Sequence, residues 1–542
     1  MSEVVNICMI QDQFLVGDIK GNTRKIISLT QQMQSKGADL LLFPELALSG
    51  YPPEDLLLRS GFMHQLEAAI EEIAVASGEA QILFGAPRRA ADGTLYNAAL
   101  LCQHGKLCGE YYKQRLPNYA VFDEMRYFQP GHAPLIISCK QRRIGVLICE
   151  DVWSELPMQQ AAEAGAEIMV VLNASPYHRN KHQQRLDILR HRQAQYALPM
   201  FYLNIVGGQD ELVFDGDSLV LSADGELVGH GPDFASACLH YQIAADNSIR
   251  ALEETEFHAV SGELQSIYKA LVMAVRDYVR GNSFDGVVIG LSGGIDSALT
   301  LAIAADALGA EQVHAVMMPS RYTAQMSLDD ARAEADALGV DYREISIEPT
   351  FEAFLQTLKN EFANLPEDTT EENIQARCRG VILMALSNKL RRMVLTTGNK
   401  SEMAVGYSTL YGDMAGGFAP LKDVEKQLVY ALSEYRNSLS AVIPRRVIER
   451  PPSAELRADQ QDQDSLPDYA VLDAILRMSV EEDMPRQHIV ASGYDADTVD
   501  RVIRMVQLNE YKRRQAPPGV RITQRAFGRD RRYPVTSGYG RG

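Results

Sequence analysis

The sequence predicts an α/β protein with two domains: a mixed sheet covered by helices, followed by an open, doubly wound parallel sheet. Short apolar runs alternate with helix-like segments through both regions, which is typical of sheets with helical connections. The chain has 542 residues, too many for one ordinary hydrophobic core. A polar stretch at 247–262 lacks the pattern. We therefore expect domains at 1–246 and 263–542, with this stretch as the linker.

The first domain is predicted from apolar runs bounded by turn residues and from segments with helical spacing. Helices are expected at 22–36 and 62–77. Gly93 and Gly105 mark turns between neighbouring strands, which with the intervening helices indicates a mixed sheet. The strands are expected at 4–10, 40–43, 82–85, 96–101, 107–112, 144–148, 168–172, 200–204 and 218–221.

The second domain alternates strands and helices more regularly. Four strands are expected at 287–289, 314–318, 343–346 and 393–396. Helices are expected at 264–280, 298–304, 328–338 and 374–389. This alternation favours an open parallel sheet, in which ligands bind beyond the carboxyl ends of the strands. Two segments, 292–297 and 396–402, fall at such ends.

The composition excludes several classes of protein. It is that of a globular protein, 46% hydrophobic and 23% charged, and no apolar run is long enough to cross a membrane. The net charge of −18 argues against general nucleic-acid binding. One segment, 511–533, is cation-rich, and it is either a solvated or interface segment or a clamp for an anionic substrate.

The cysteines and the beginning of the chain indicate a reducing compartment. The seven cysteines include no Cys-x-x-Cys pair and no Cys/His cluster at metal-binding spacing, so we expect no disulfide framework. Residues 1–11 carry no basic leader of the kind that opens a signal peptide. We therefore expect a cytoplasmic protein.

The most informative motif is Ser-Gly-Gly-Ile-Asp-Ser at 292–297, between an apolar strand and a helix. The glycines allow close approach to a ligand, and the helix N-terminus adds partial positive charge, which together predict a phosphate cradle. No Gly-Lys-Ser/Thr follows, so the loop is not a Walker loop. Asp296 suits such a cradle if a cation such as Mg²⁺ bridges it to the phosphates. The loop resembles that of the ATP pyrophosphatase family, which cleaves ATP to AMP and pyrophosphate.

Three residues of the first domain directly follow predicted strands: Glu45 in Phe-Pro-Glu-Leu, Lys113 in Tyr-Tyr-Lys-Gln-Arg-Leu-Pro and Cys149 in Ile-Cys-Glu-Asp. If the strands lie side by side, these side chains converge at one rim of the sheet. Glu45 can then take the thiol proton of Cys149, and Lys113 can stabilise an oxyanion. The set predicts attack on an amide, a thioester intermediate and release of ammonia.

These three motifs resemble the Glu-Lys-Cys signature of the nitrilase (carbon–nitrogen hydrolase) family over about residues 1–250. The resemblance implies an α-β-β-α sandwich. Glu124, in Val-Phe-Asp-Glu-Met-Arg, matches a second glutamate found near that triad. The competing hypothesis is a cysteine–histidine mechanism with His178 or His182 as the base.

An amidase joined to an ATP pyrophosphatase has the plan of a glutamine-dependent amidotransferase, and nearly the whole chain resembles the family of glutamine-dependent NAD⁺ synthetases. The resemblance implies an adenine nucleotide alpha-hydrolase-like second domain, with deamido-NAD⁺ as the acid and NAD⁺ as the product. It also implies Mg²⁺, ATP and glutamine or ammonia as small-molecule partners, and a homo-oligomer. The matching segments in the second domain are 292–297, 372–377, 396–402, 411–413, 420–426 and 517–534.

Carried over by position, the resemblance assigns roles to individual residues. Tyr119, Ser175 and Lys181 would orient glutamine. Asp296 and Glu402 would hold Mg²⁺, and Lys426 would meet phosphate or the charge on AMP. Asn373, Glu402 and Lys512 would contact deamido-NAD⁺. ATP would meet Gly290, Leu291, Ser292, Gly293, Gly294, Ile295, Asp296, Ser297 and Thr397.

Two alternatives stay open at this point. The first is an amidotransferase for a different acid, such as xanthylate or aspartate. The glutaminases of those families use a Cys-His-Glu set or an N-terminal cysteine, whereas the nucleophile expected here is internal. The second is a non-enzymatic protein in which one half is a degenerate binding module, and loss of Cys149, Glu45, Asp296 or Glu402 would indicate it. None of these residues is lost.

Overall fold

The computed structural model describes residues 4–252, 255–457 and 460–539. The chain forms two compact units. The first runs to Gln209 and from Val213 to Gly262, and the second comprises Asp210–Leu212 and the chain from Glu263 onward. Residues 253 and 254 of the predicted linker, and the predicted domain ends at 1–3 and 540–542, lie outside the described residues.

The described elements up to residue 251 are mostly strands. Four helices accompany them: α1 (Ile19–Ser35), α2 (Ser60–Ala76), α3 (Glu155–Glu163) and α4 (Lys181–Tyr196). The strands are β1 (Val5–Gln11), β2 (Leu40–Leu42), β3 (Gln81–Arg89), β4 (Leu95–Gln103), β5 (Lys106–Tyr112), β6 (Leu135–Cys139), β7 (Arg142–Ile148), β8 (Ile168–Asn173), β9 (Met200–Asn204), β10 (Val206–Gln209), β11 (Leu212–Asp215), β12 (Leu219–Leu221), β13 (Leu227–His230), β14 (Ala237–Ile243) and β15 (Ile249–Ala251).

Apart from a small hairpin of β10 and β11, these strands form two large mixed sheets. The seven-stranded sheet has the order β15-β14-β1-β2-β3-β4-β5, and the six-stranded sheet the order β13-β12-β9-β8-β7-β6. Ile7 and Leu42 of one sheet share a hydrophobic core with Val146 and Tyr202 of the other. Helix α2 packs on β3 and β5, whereas α3 packs on β7 and α4 on β12. The predicted α-β-β-α sandwich is confirmed.

The second unit is mainly helical. The strands among its described residues are β16 (Val287–Gly290), β17 (Val313–Met317), β18 (Asp341–Glu344) and β19 (Met393–Leu395). Its helices are α5 (Glu263–Gly281), α6 (Ile295–Leu308), α7 (Gln325–Leu338), α8 (Glu348–Leu358), α9 (Thr369–Leu390), α10 (Lys400–Val405), α11 (Lys426–Leu439), α12 (Arg445–Glu449), α13 (Tyr469–Leu476), α14 (Arg486–Ala491), α15 (Ala496–Leu508) and α16 (Glu510–Arg513).

The four strands form a fully parallel sheet in the order β18-β17-β16-β19. Val288 and Val316 pack with Phe351 of α8 and Cys378 of α9. Successive strand residues point to opposite faces, so the neighbours of Val288 turn towards the other face, where α6 contacts β16 and β17. The predicted doubly wound parallel sheet is confirmed. It places the ends of β16 and β19 beside each other.

Several elements depart from the sequence-based expectations. The predicted linker contains a strand near its start, since β15 pairs with β14 at the edge of the first sheet. The predicted strand at 343–346 lies two residues earlier, at Asp341–Glu344. Helices α10, α13, α14 and α15 form a separate hydrophobic cluster that was not predicted. Among the described residues, no helix is both long and apolar enough to span a membrane.

Candidate active sites

Glu45 lies in the turn after β2 and is fully buried. The turn sits directly on β3, where the Gly85 amide donates to the Pro44 carbonyl at 3.1 Å. A Cβ on Gly85 would lie 2.2 Å from the backbone nitrogen of Leu46, so only glycine permits this approach. The close contact fixes where the Glu45 carboxylate points.

Lys113 follows β5, and its buried ammonium joins the two glutamates. Its Nζ lies 2.7 Å from Glu45 Oε1 and 2.8 and 2.9 Å from the two carboxylate oxygens of Glu124. Asn97 Nδ2 donates to Glu45 Oε1 at 2.8 Å, and the Ala174 amide donates to Glu45 Oε2 at 2.9 Å. Both oxygens of Glu45 are therefore held, and the ammonium is shared by two carboxylates.

Cys149 comes directly after β7 and opens a short 3₁₀ turn. Its φ of +45° is in the left-handed region, which is strained for a residue with a side chain. Glu45 and Lys113 follow strands of the seven-stranded sheet, whereas β7 belongs to the six-stranded sheet. The expectation of one shared rim was therefore wrong: the three residues meet between the two sheets of the sandwich.

The electrostatics of this site follow from its burial. Burial and then the charge of Glu45 raise the pKa of the Cys149 thiol well above its ordinary value, against the opposing effect of Lys113. Burial alone would lower the pKa of Lys113, but Glu124 and Glu45 hold it well above its usual range. The resting site thus has a neutral thiol and a charged ammonium, so a base must accept the thiol proton when substrate is attacked.

Of the three residues predicted to orient glutamine, Lys181 and Tyr119 interact electrostatically with the Cys149 thiol, and Ser175 follows β8. Lys181 Nζ sits over the Trp153 ring, 4.5 Å from its centroid, and burial followed by the charge of Arg185 lowers the pKa of Lys181 to about 8. The exposed Tyr119 hydroxyl lies 3.0 Å from both carboxylate oxygens of Glu150. The Ser175 amide donates to Asn204 at 2.9 Å.

Glu150 is a candidate functional residue that the sequence analysis did not single out. Its charge acts on both Cys149 and Lys181, so a carboxylate and an ammonium flank the thiol together. The Cys-Glu-Asp motif contains this residue, but sequence alone does not show that its side chain points into the site.

The competing cysteine–histidine mechanism gains no support from the geometry. His178 Nδ1 lies 2.8 Å from the Arg179 carbonyl, and His182 Nδ1 lies 2.7 Å from Asp217. Glu45, not a histidine, is the group whose charge acts most strongly on the thiol.

The second set of residues surrounds the loop between β16 and α6. Gly293 has a φ of +75°, and a Cβ there would lie 2.3 Å from the Ser327 carbonyl oxygen. The Ser297 hydroxyl donates to the Gly294 carbonyl at 2.9 Å and lies 3.0 Å from the Ser292 hydroxyl. These hydroxyls brace the loop, while the first amides of α6 have no partner within the helix. The loop therefore presents amides to an anion.

Asp296 and Glu402 lie on two sides of one ammonium, that of Lys426. Lys426 Nζ pairs with Asp296 Oδ2 and lies 3.2 Å from Glu402 Oε1. Asn399 caps α10 by accepting from the Glu402 amide at 3.0 Å, and its Nδ2 donates to Asp296 Oδ1 at 2.7 Å. Burial and Asp296 raise the pKa of Glu402, against the lowering effect of Lys426. The two carboxylates thus converge on a position that already holds a cation.

A cavity of about 510 Å³ joins these groups. Its lining includes every residue predicted to contact ATP, deamido-NAD⁺ or phosphate except Gly293. Asn373 Oδ1 accepts from Thr409 at 2.7 Å, and Lys512 Nζ donates to the Gly406 and Ser408 carbonyls, both at 2.8 Å. Thr397 and Glu402 both line the cavity.

Several arginines of the cation-rich segment 511–533 form ion pairs with carboxylates. Arg513, Arg514 and Arg531 all pair with Glu510, and Arg521 pairs with Asp530. Of the cations in this segment, the cavity lining among the described residues includes only Lys512. Arg513, Arg514, Arg521 and Arg531 therefore hold parts of the tail together through ion pairs.

Comparison with protein families gives two matches that together span most of the chain. The carbon–nitrogen hydrolase family model matches residues 6–250, and the NAD synthase family model matches residues 267–516. A protein of Acinetobacter baylyi described as glutamine-dependent NAD(+) synthetase is 48% identical over 526 residues, with 97% of each chain covered. One of the same description from Aquifex aeolicus is 43% identical, with 98% of this chain and 99% of that one covered.

Solved structures agree with these matches. The structure of glutamine-dependent NAD⁺ synthetase from Acinetobacter baumannii in complex with ADP has a TM-score of 0.81 and 46% identity, and 99% of each chain is covered. A glutamine-dependent NAD(+) synthetase from Cytophaga hutchinsonii has a TM-score of 0.85 over 99% of this chain and 98% of that one, at 21% identity, which shows the fold alone.

Proposed function

Because the chain belongs to the family of glutamine-dependent NAD(+) synthetases, we propose that Glu45, Lys113 and Cys149 release ammonia from glutamine and that the cavity beside residues 292–297 consumes it. The overall activity is that of a carbon–nitrogen ligase. Glutamine supplies the amide nitrogen, ATP is cleaved to AMP and pyrophosphate, and deamido-NAD⁺ becomes NAD⁺.

In the first site, Glu45 takes the proton of Cys149 as Sγ attacks the amide carbon of glutamine. The ammonium of Lys113 stabilises the oxyanion of the tetrahedral intermediate, a type of contact typically worth about 3 kcal/mol. When the intermediate collapses, Glu45 returns the proton to the leaving nitrogen, so ammonia departs and a thioester remains. Glu45 then activates a water molecule, which hydrolyses the thioester to glutamate and the free thiol.

Glutamine is held by one positively charged and one negatively charged side chain, which match its two charged groups. Lys181 suits the α-carboxylate, and the pair formed by Glu150 and Tyr119 suits the α-ammonium. Ser175 would bind the substrate from the end of β8. A simple amide lacks the α-carboxylate and the α-ammonium, so it would leave the charges of Lys181 and Glu150 unpaired. The site therefore selects for the amino acid over a simple amide.

In the second site, the carboxylate of deamido-NAD⁺ attacks the α-phosphorus of ATP, and pyrophosphate leaves. Ammonia then attacks the resulting adenylate, so that the amide forms, AMP departs and one proton is lost to solvent. The loop at 292–297 would bind the phosphates, and Lys426 would offset the charge on AMP. Asn373, Glu402 and Lys512 would hold deamido-NAD⁺, and Thr397 would contact ATP.

Asp296 and Glu402 fit a Mg²⁺ site because their carboxylates already converge on one cation, the Lys426 ammonium. Mg²⁺ is usually held by one or two carboxylates together with substrate phosphates. When bound there, it would supply positive charge to the departing pyrophosphate.

We also propose a cytoplasmic homo-oligomer. All seven cysteines are free, which suits a reducing compartment. The family resemblance supports the homo-oligomer, and sedimentation velocity of the purified chain would give its size.

The convergence of Glu45 and Lys113 on the Cys149 thiol carries the proposal, and Cys149→Ala tests it. We expect this variant to lose glutamine-supported NAD⁺ formation and to keep the reaction with added ammonia. The matched control is Cys139→Ala, another buried thiol at the end of a strand in the same sheet. Equal loss of both activities in folded Cys149→Ala would contradict separate sites.

A further inference from the structure

Beside the glutamine site lies a cluster of charged groups that the proposed chemistry does not use. Asp217 Oδ1 lies 2.7 Å from His182 Nδ1 and 2.7 Å from His230 Nε2. Its other oxygen lies 2.9 Å from Arg185 Nη1. Arg185 is fully buried, and Asp217 and His230 are almost so. Asp217 also has a φ of +55°, so the fold holds it in a strained conformation.

Counting hydrogens determines the charge of His230. Its Nδ1 lies 2.6 Å from the His258 carbonyl, and its Nε2 lies 2.7 Å from the Asp217 carboxylate. Both partners are acceptors only, so each ring nitrogen must carry a proton. A neutral ring would turn one lone pair towards an oxygen. The geometry therefore requires an imidazolium at His230.

The imidazolium also balances the buried charges. Arg185 binds Asp215 through two contacts of 2.8 Å and Asp217 through one of 2.9 Å. With His230 protonated, the two cations Arg185 and His230 face the two anions Asp215 and Asp217. Deprotonation of His230 would leave one uncompensated buried negative charge, which is strongly unfavourable.

The cluster ends at the glutamine site. Arg185 Nη2 donates to the Ser175 carbonyl at 2.8 Å, and its Nε lies 3.4 Å from the Ser175 hydroxyl. Ser175 is the residue proposed to bind glutamine from β8. Lys181 and His182 are consecutive residues at the start of α4, so the same helix carries a glutamine ligand and a member of the cluster.

We propose that His182, Asp217 and protonated His230 are positioning residues for glutamine hydrolysis: they hold Arg185, and through it Ser175, so that glutamine binding weakens when His230 loses its proton. This inference rests on the proposed function of the first site.

The groups facing His230 support a proton that persists near neutral pH. Burial alone would lower its pKa, but the hydrogen bond and charge of Asp217, the His258 carbonyl and the charge of Asp233 raise it above the ordinary value. The rings of His182 and Phe257 complete its surroundings, at 5.2 and 6.0 Å between centroids.

The test is the KM for glutamine between pH 6 and 9, with Asp217→Asn as the decisive variant. An asparagine can accept from Arg185 through its oxygen and donate to the lone pair of a neutral His230 through its nitrogen, so it needs no proton on His230. It also keeps the buried charges balanced, since Arg185 then faces Asp215 alone. Above the pKa of His230 we expect the parent KM to rise about 10-fold per pH unit relative to that of Asp217→Asn.

The parent and Asp217→Asn both contain Lys181 and Cys149. Titration of these two groups therefore affects both KM values alike and does not change their ratio. His230→Gln should likewise remove the pH step, with a raised KM at every pH. The matched control is His191→Gln, an exposed histidine on the same helix, which should behave as the parent. In all of these variants, kcat for ammonia-supported NAD⁺ formation should be unchanged, which separates positioning from general loss of structure.

Coincident pH profiles of KM in the parent and Asp217→Asn would overturn the inference. So would one metal ion per chain that is lost in Asp217→Asn, because the required cation would then be a metal and not a proton. These failures differ from failure of the proposed function, which would show as glutamine-supported activity in Cys149→Ala.

Discussion

At the scale of single residues, the first site depends on one buried ammonium. Lys113 is shared by Glu45 and Glu124, and each of the three groups would be costly to bury without its partners. In the proposed reaction Lys113 therefore has two roles: it stabilises the oxyanion, and its ion pair holds the side chain of Glu45 in place.

Lys113→Met should abolish glutamine hydrolysis and also destabilise the fold. Removing one partner leaves two buried carboxylates without their cation, a change that typically costs about 3–5 kcal/mol. Urea unfolding of the parent and the variant measures this loss. The control is Lys106→Met, an exposed lysine at the start of β5, the strand that Lys113 follows, and it should change stability by less than about 0.5 kcal/mol. A Lys113→Met protein as stable as the parent would contradict the shared-ammonium account.

Single residues were predictable where a motif carries them. Glu45, Lys113 and Cys149 follow strands in recognisable motifs, and the structure brings them together. Their supporting partners were not predictable, because Asn97 and the Ala174 amide reach Glu45 from 52 and 129 residues away in sequence. The same holds for the cluster around Asp217, whose members come from α4, β13 and a loop.

At the scale of elements, the short helix α10 organises the second site. Its N-cap Asn399 exchanges hydrogen bonds with Glu402 and also donates to Asp296, so one residue connects the carboxylates that follow β19 and β16. The segments that follow these two parallel strands thus each bring one carboxylate to the same position.

Asn399→Ala should therefore lower stability and impair catalysis together. Loss of an N-cap typically costs about 1 kcal/mol. Ammonia-supported NAD⁺ formation should fall because Asp296 loses its orienting partner. The control is Asp495→Ala, which removes the N-cap of α15, where the side chain accepts from the Thr498 amide at 2.9 Å. It should show the same loss of stability with full activity. Full activity in Asn399→Ala would contradict the role given to this cap.

Elements were predictable where apolar residues repeat regularly. The buried strands β7, β8, β9 and β16 lie where apolar runs indicated them. Helix α4 was missed because its buried face includes Arg185 and Arg192, so it lacks an apolar period. Helix α9 begins at Thr369, five residues before the predicted start. Its first turn is stabilised by a capping box of Asp368 and Glu371, and the prediction missed this turn because it rested on apolar periodicity alone.

At the scale of the whole molecule, each unit contains one of the two proposed sets of reacting groups. The first unit holds Cys149, Glu45 and Lys113, and the second holds the loop at 292–297 with Asp296 and Glu402. The division into an amidase and an ATP-using domain was predictable, because each half carries its own motifs. That Glu45 and Cys149 follow strands of two different sheets was not predictable. A sequence pattern indicates where strands lie, but not the sheet to which each strand belongs.

The central claim is that one chain carries two separable chemistries, and the most direct test measures glutamate release and NAD⁺ formation in the same samples. Cys149→Ala should release no glutamate and should make NAD⁺ from ammonia. Asp296→Asn should make no NAD⁺ from glutamine or from ammonia, yet continue to release glutamate. If either folded variant lost both glutamate release and ammonia-supported NAD⁺ formation, the two residues would belong to one chemistry and the account would be contradicted.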